Sequence, residues 1–232
     1  MDTSFICIFA RLKIKFNKMK MKRVSLLVIV LAMIAGINQA YGQEVNLPAP
    51  QKNNEQSSLT KALQDRHSVR SYTDKALSDQ MLSDLLWAAN GVNRTDGKRT
   101  APSAINAQDI ELYVYKKDNG VYHYVPTDNK LVKVSDTDIR PIIAAHNAYI
   151  NIVPVVVLLM SNQAKFGGMK SGQKLGAMDA GYVSQNIYLY CAANGLGTVA
   201  CAPPMDEAAV QKALGLSADY LPLIYHPVGY AK

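Results

Sequence analysis

One stretch limits what this chain can fold into: Leu175-Gly-Ala-Met-Asp-Ala-Gly-Tyr-Val-Ser-Gln-Asn-Ile-Tyr-Leu-Tyr-Cys-Ala-Ala-Asn-Gly-Leu-Gly-Thr198. It reads as a long helix stopped at Asn194-Gly195. Ala177, Ala180, Gly181 and Ser184 recur at three- and four-residue spacing, which puts small side chains along one side. A glycine inside a helix costs ~1 kcal/mol relative to alanine, so a solitary surface helix gains nothing from this pattern. Small residues there let a second backbone approach, and the helix is expected to be buried against another long element.

The front of the chain has a different character. Residues 1–42 hold seven Lys/Arg and one acid, a surplus of six out of the formal net charge of +7, so the remainder carries +1. A nearly neutral body excludes the electrostatic footprint of a nucleic-acid binder. Lys18-Met-Lys-Met-Lys-Arg23 is a positive n-region, Val24 to Ile37 an apolar core, and Ala40-Tyr41-Gly42 a small-x-small cleavage site. The apolar run is shorter than the ~20 residues of a spanning helix. The spacing predicts a signal peptide over 1–42, cleaved after Gly42, with translation starting at Met19 or Met21. The mature protein is then exported, to the periplasm, without stable membrane insertion. Gln43 to Ser58 is rich in Pro, Asn and Gln and reads as a flexible tether, leaving 59–232 as the folded body.

In the body, Leu59 to Arg66 is a short helix with Leu59, Ala62 and Leu63 inward, leading into an extended Val69–Tyr72. Ser78 is an N-cap for a helix to Asn90, with Gly91 as its stop. Val92 to Ala101 is a polar loop containing Arg94, Lys98 and Arg99, and Pro102 to Gln108 a turn. Ile110–Lys116 and Val121–Val125 are strands joined by a tight turn at Asp118-Asn-Gly120. Asp136 to Tyr149 reads as helix, Ile152–Met160 as a strand buried on both faces, and Thr198–Ala202 as a further strand. A short helix over 206–214 and a strand over 220–230 close the chain. The order implies an α+β fold, a mixed, mainly antiparallel sheet flanked by helices.

Few residues announce chemistry by themselves. His67, His123, His146 and His226 are scattered and there is no CxxC, so no metal site is predicted. Cys191 and Cys201 could pair in an exported protein, but their apolar surroundings favour two small buried hydrophobes. Arg66-x-Ser68-x-Arg70, if extended, aligns two guanidinium groups with a hydroxyl between them. That pattern suits either an anion clamp or a solvated basic edge. Asn194-Gly-Leu-Gly197 follows a helix and precedes a strand, the reverse of a dinucleotide fingerprint, and is a helix stop.

Six pieces in order carry a resemblance: Arg66-His-Ser-Val-Arg70, Leu86-Trp-Ala-Ala-Asn-Gly91, Arg99-Thr-Ala-Pro-Ser-Ala104, Glu111-Leu-Tyr-Val114, Asp179-Ala-Gly with Gln185-Asn186, and Gly195-Leu-Gly-Thr198. Over Leu59 to Tyr230 the chain resembles the nitroreductase-like FMN flavoenzymes, nearest their short thiazole/oxazole-dehydrogenase-like branch. The resemblance implies a homodimer built on a long central helix, with one FMN at each subunit interface. It places Arg66, His67 and Ser68 on the flavin phosphate and ribityl chain, and Arg70 near N1 and the C2 carbonyl. Pro102, Ser103, Ala104 and Asn106 would reach the FMN of the partner subunit. Val199, Ala200, Cys201 and Ala202 would lie beside the ring and N5, while Trp87 and Gln185 would pack. Relatives carry a basic pair beyond the last strand; here Lys232 alone follows it, so Arg99 is a second candidate for the phosphate. The implied reaction passes two electrons or a hydride through flavin N5 between a donor, NAD(P)H in many relatives, and a small organic acceptor. The alternative is an exported dimeric flavin-binding module without turnover.

Overall fold

Ile110–Lys116 is rich in aromatic and β-branched residues and forms the central strand of the sheet. In the computed structural model, which describes residues 42–51, 58–144 and 147–232, it is β2 of seven strands. The others are β1 (Glu44–Asn46), β3 (Gly120–Val125), β4 (Lys130–Ser135), β5 (Val155–Asn162), β6 (Gly197–Thr198) and β7 (Tyr220–Gly229). Their spatial order is β1-β4-β3-β2-β5-β7-β6, and every pairing is antiparallel. The α+β expectation holds, with a wholly antiparallel sheet among the described residues. Among the described residues five α-helices accompany it: α1 (Leu59–Asp65), α2 (Asp79–Asn90), α3 (Arg140–Ile143), α4 (Gly172–Ala193) and α5 (Glu207–Leu214).

The sheet separates two apolar layers. Leu112, Val114, Val157 and Leu159 face α2 and α4, whereas Tyr113, Tyr115, Val156 and Leu158 face α3 and α5. β5 is therefore buried on both faces, as its unbroken apolar run requires. The Ser78 hydroxyl accepts from the Met81 amide and Gly91 ends α2. Ser78→Ala is expected to cost about 1 kcal/mol of stability in urea unfolding, through loss of that cap; no loss would show the cap is replaced by water.

Four expectations need correction. Residues 43–51 are not a tether: β1 pairs with β4, Leu47 is buried, and Pro48 and Ala49 accept hydrogen bonds from Ser83 and Gln80 of α2. In α1 only Ala62 is buried, while Leu59 and Leu63 are 67% and 52% exposed. The predicted helix over 136–149 is reduced to four residues, α3, and a 3-10 turn at Ala148–Asn151. The cause is local: the Asp138 carboxylate takes both the backbone and the guanidinium of Arg140, and Pro141 fixes the first turn. The strand expected over Thr198–Ala202 is cut short as well, since β6 is two residues long and Cys201 contributes only a bridge to Tyr225. The leader read over 1–42 falls on residues of which 1–41 lie outside the described ones, as do 52–57 and 145–146.

The long helix is as predicted in extent, but its small residues divide. Gly176, Ala180 and Ser184 face the sheet, and Gly172 packs on the 3-10 turn Gln163–Phe166. Ala177, Gly181 and Gln185 face outward beside Met178 and Tyr182, which are 48% and 44% exposed. Among the described residues of one chain, the helix is buried on one side only.

Candidate functional site

α1 ends at Asp65 and releases Arg66–Arg70 as extended chain along the end of α4. The Val69 amide donates to the Thr198 carbonyl at 2.9 Å. Gly197 permits this approach, because a Cβ there would meet the Val69 side chain at 2.7 Å. The segment of residues 66–70 thus lies directly on the 197–200 backbone, although Val69 and Thr198 are 129 positions apart in sequence.

Tyr188 of α4 closes the junction. Its hydroxyl is 2.8 Å from the Ala200 amide and 3.0 Å from Ser68 Oγ. Arg66 lays its guanidinium over the same ring, 5.0 Å from the centroid. Below it is the buried His226, whose ring meets Tyr188 edge-on at 5.4 Å. Thr198 donates its hydroxyl proton to the Pro227 carbonyl, so it accepts from His226 Nδ1 at 3.0 Å. His226 Nε2 then accepts from Ser184 at 2.8 Å. The ring is neutral and fully satisfied, and burial pushes its pKa down to about 3.

Where the 66–70 segment ends, Arg70, Ser71 and Tyr72 border an open cavity of about 370 Å³. The last residues pair with Ser71 and Tyr72, Lys232 N–H donating to Ser71 O at 3.1 Å. This brings Lys232 to the same cavity as Arg70, with Tyr72, Asn147, Tyr149 and Ile152 as neutral walls. No acidic residue lines it, and neither cation forms an ion pair among the described residues. The Tyr149 hydroxyl is 3.4 Å from Cys201 Sγ, linking the cavity wall to the 199–202 loop. In that loop the Ala200 and Cys201 amides are engaged by Tyr188 and the Tyr225 carbonyl. Cys191 and Cys201 are both free thiols, Cys191 buried and Cys201 half-buried.

The structure therefore gathers Arg66, Ser68, Arg70, Val199, Ala200, Cys201, Ala202 and Lys232 at one end of α4. His67 is next to them but exposed, its Nδ1 bonded to the Asp65 carbonyl. Pro102, Ser103, Ala104 and Asn106 are elsewhere. The Ala104 amide donates to both oxygens of Asp179 at 3.1 and 2.9 Å. Asp179 is nine residues before Tyr188, about 13 Å along the helix. That loop is held in an unusual shape, with Ile105, Asn106 and Gln108 at φ 51°, 57° and 49°. Beneath it Asp109 and Asp179 are both buried, and burial, with Asp179 beside it, pushes Asp109 up to about 6.

Arg99 also lies apart from Arg66. It donates to the Ile110 carbonyl at 3.1 Å and lines a second cavity of about 230 Å³ with Glu111, His123 and Lys165. Burial pushes Glu111 upward, but hydrogen bonds and charge from His123 and Lys165 outweigh it and hold the carboxylate near 2. Sequence reasoning missed Tyr188, Asn147 and Tyr149. Tyr188 was hidden in an apolar helical run, and Asn147 and Tyr149 in a stretch read as helix.

The model of the Nitroreductase family matches residues 63–230. A protein of Methanocaldococcus jannaschii whose name places it among the nitroreductases is 32% identical over 185 residues, 75% of this chain and 92% of that one. A solved structure from Ralstonia eutropha, also named as a nitroreductase, is 30% identical with a TM-score of 0.75, covering 82% of this chain and 90% of that chain. The E. coli microcin synthetase complex McbBCD, solved with truncated pro-MccB17, gives 19% identity and a TM-score of 0.64 over 81% of this chain and 75% of that one. At that identity the likeness is one of fold.

Proposed function

The chain belongs to the nitroreductase family of flavin oxidoreductases, and from that premise we propose that it is an FMN-dependent enzyme passing two electrons between a donor and a small organic acceptor. The observation that carries the reading is that Arg70 and Lys232 line one cavity with no acidic side chain, against the 199–202 loop. An anionic, planar cofactor suits that set: cations without internal partners, tyrosine walls and a backbone loop free of bulky side chains. Arg66, Ser68 and Lys232 would hold the phosphate end. Arg70 would stand at the pyrimidine edge, where a cation favours the anionic reduced state. The 199–202 backbone would lie along the ring. Bound FMN would supply hydride acceptance and donation at N5. The chain's own work is to bind, to place the positive charge and to leave one face of the ring open.

Dimerisation completes the reading. The outward face of α4 (Ala177, Met178, Gly181, Tyr182) and the bare Leu59 and Leu63 of α1 are apolar surface without a cover in one chain. A homodimer joined there would cover them. It would also let Pro102, Ser103, Ala104 and Asn106 of one subunit serve the flavin of the other. Among the described residues no helix is long and apolar enough to cross a membrane. The leader read in residues 1–42 supports export to the periplasm, where NADH and NADPH are scarce, so the physiological donor there is of another class or the nicotinamide reaction is a capacity in vitro.

The purified protein is expected to take up one FMN per chain from micromolar solution and to bleach with NADH or NADPH without oxygen. Arg66→Ala should weaken FMN binding by about 10- to 100-fold, the range for a charged hydrogen bond. Arg70→Ala should mainly make the flavin potential more negative. A protein that stays colourless at micromolar FMN would remove the cofactor assignment. FMN binding with no bleaching by any donor would favour a module without turnover.

A further inference from the structure

We propose that the Tyr188 hydroxyl is a positioning group that makes Ser68 a hydrogen-bond donor to the flavin phosphate and fastens that segment to the 199–202 loop. The inference rests on the flavin reading above. The Ala200 amide can only donate, so at 2.8 Å Tyr188 Oη must accept from it. The phenolic hydrogen then has one neighbour left, Ser68 Oγ at 3.0 Å. When Tyr188 donates to Ser68, every hydrogen in the row is used in one direction: Ala200 N–H to Tyr188, Tyr188 O–H to Ser68, and the Ser68 hydrogen outward. Ser68 is exposed, so that hydrogen is free to meet an anion from outside. Each donor in such a row polarises the next, which makes the last one stronger.

Two further contacts suit Tyr188 to this task. Its ring carries the Arg66 guanidinium, so cation and hydroxyl are presented together. From below, the ring rests edge-on against His226, which Ser184 and Thr198 fix in a single tautomer. The Val69 to Thr198 hydrogen bond and the Gly197 approach hold the two backbones together independently of the hydroxyl. Tyr188→Phe thus deletes the relay while keeping the ring, the cation contact and the packing.

The experiment is to titrate wild type, Tyr188→Phe and Ser68→Ala with FMN and with riboflavin, which lacks the phosphate, and to record the melting temperature of each apoprotein. Tyr188→Phe is expected to weaken FMN about tenfold, with riboflavin changed by less than about threefold and the melting temperature nearly constant. Ser68→Ala, an exposed site that folds in any case, should show the same phosphate-selective loss. Equal weakening of both flavins, unchanged FMN affinity in Tyr188→Phe, or unchanged selectivity in Ser68→Ala would overturn the role of Tyr188 and leave the flavin reading intact. Wild type that binds neither flavin would bring down that reading, and this inference with it.

Discussion

Gly176→Ala should destabilise the protein by about 2–4 kcal/mol in urea unfolding, although glycine to alanine inside a helix ordinarily gains up to ~1 kcal/mol. The reversal comes from what lies against the backbone there. A Cβ on Gly176 would overlap Ser161 Oγ and stand 3.0 Å from both Asp109 Oδ2 and Gln163 Nε2. These atoms cannot step aside independently. Gln163 donates to Ser161 at 2.7 Å, Ser161 donates to Asp109 at 2.5 Å, and Asp109 and Ser161 are fully buried. Asp109 Oδ1 already has no hydrogen-bond partner among the described residues, so the network has no spare donor to make good a lost bond. Displacing Ser161 would leave Asp109 with a buried oxygen on each side unsatisfied, a cost of about 1–3 kcal/mol beyond the steric term. The insertion is also felt at a distance, because Asp179 of the same helix holds the loop at Ala104. A variant as stable as wild type would mean that α4 can shift away from β5 at little cost.

That network shows where sequence reading stops. The hairpin of β2 and β3, the capped α2 and the extent of α4 were legible, since each is set by neighbours within a few residues. β4 was not. Its signal, Lys130 to Ser135, follows a Pro126-Thr-Asp-Asn129 turn whose function depends on Asn129 in the left-handed region at φ 48°. Asn129 bonds Tyr124, Ser83 and Pro48, which ties the turn to the segment of residues 43–51 as well. The Pro- and Asn-rich composition of that segment gave no warning, because it is held by contacts to α2 and β4 rather than by its own apolar content. At the site, the RxSxR spacing and the resemblance together pointed to residues most of which the fold gathers at one end of α4. That Lys232 lines the same cavity as Arg70, and that Tyr188 joins Ser68 to Ala200, depends on pairs separated by more than a hundred positions or by the turn that ends α4. Arg99 illustrates the opposite case: a base of suitable sequence position that the fold directs into a different cavity.

His226 provides the largest expected dependence on pH. An ordinary histidine titrates near 6.5, whereas burial holds this one near 3 in the folded protein. The unfolded chain therefore takes up a proton below pH 6.5 that the folded chain refuses. Stability from the neutral ring is complete above 6.5 and is lost as the pH falls from there toward 3. The loss amounts to about 2 kcal/mol by pH 5. Asp109 acts in the opposite sense. Its folded carboxyl, raised to about 6, gains a proton before its unfolded counterpart does, so it adds stability as pH falls between about 6 and the ordinary range near 3.8. The two effects partly cancel, and the wild-type acid limb should look shallow. The His226 contribution is isolated by comparing wild type with His226→Gln, which cannot titrate but can still bond Ser184 and Thr198. The stability advantage of wild type over the variant should shrink by about 2 kcal/mol between pH 7 and pH 5, because every other titrating group is common to both. A constant difference across that range would mean that the folded ring accepts its proton as readily as the unfolded one, which would contradict the sealed Ser184–His226–Thr198 arrangement.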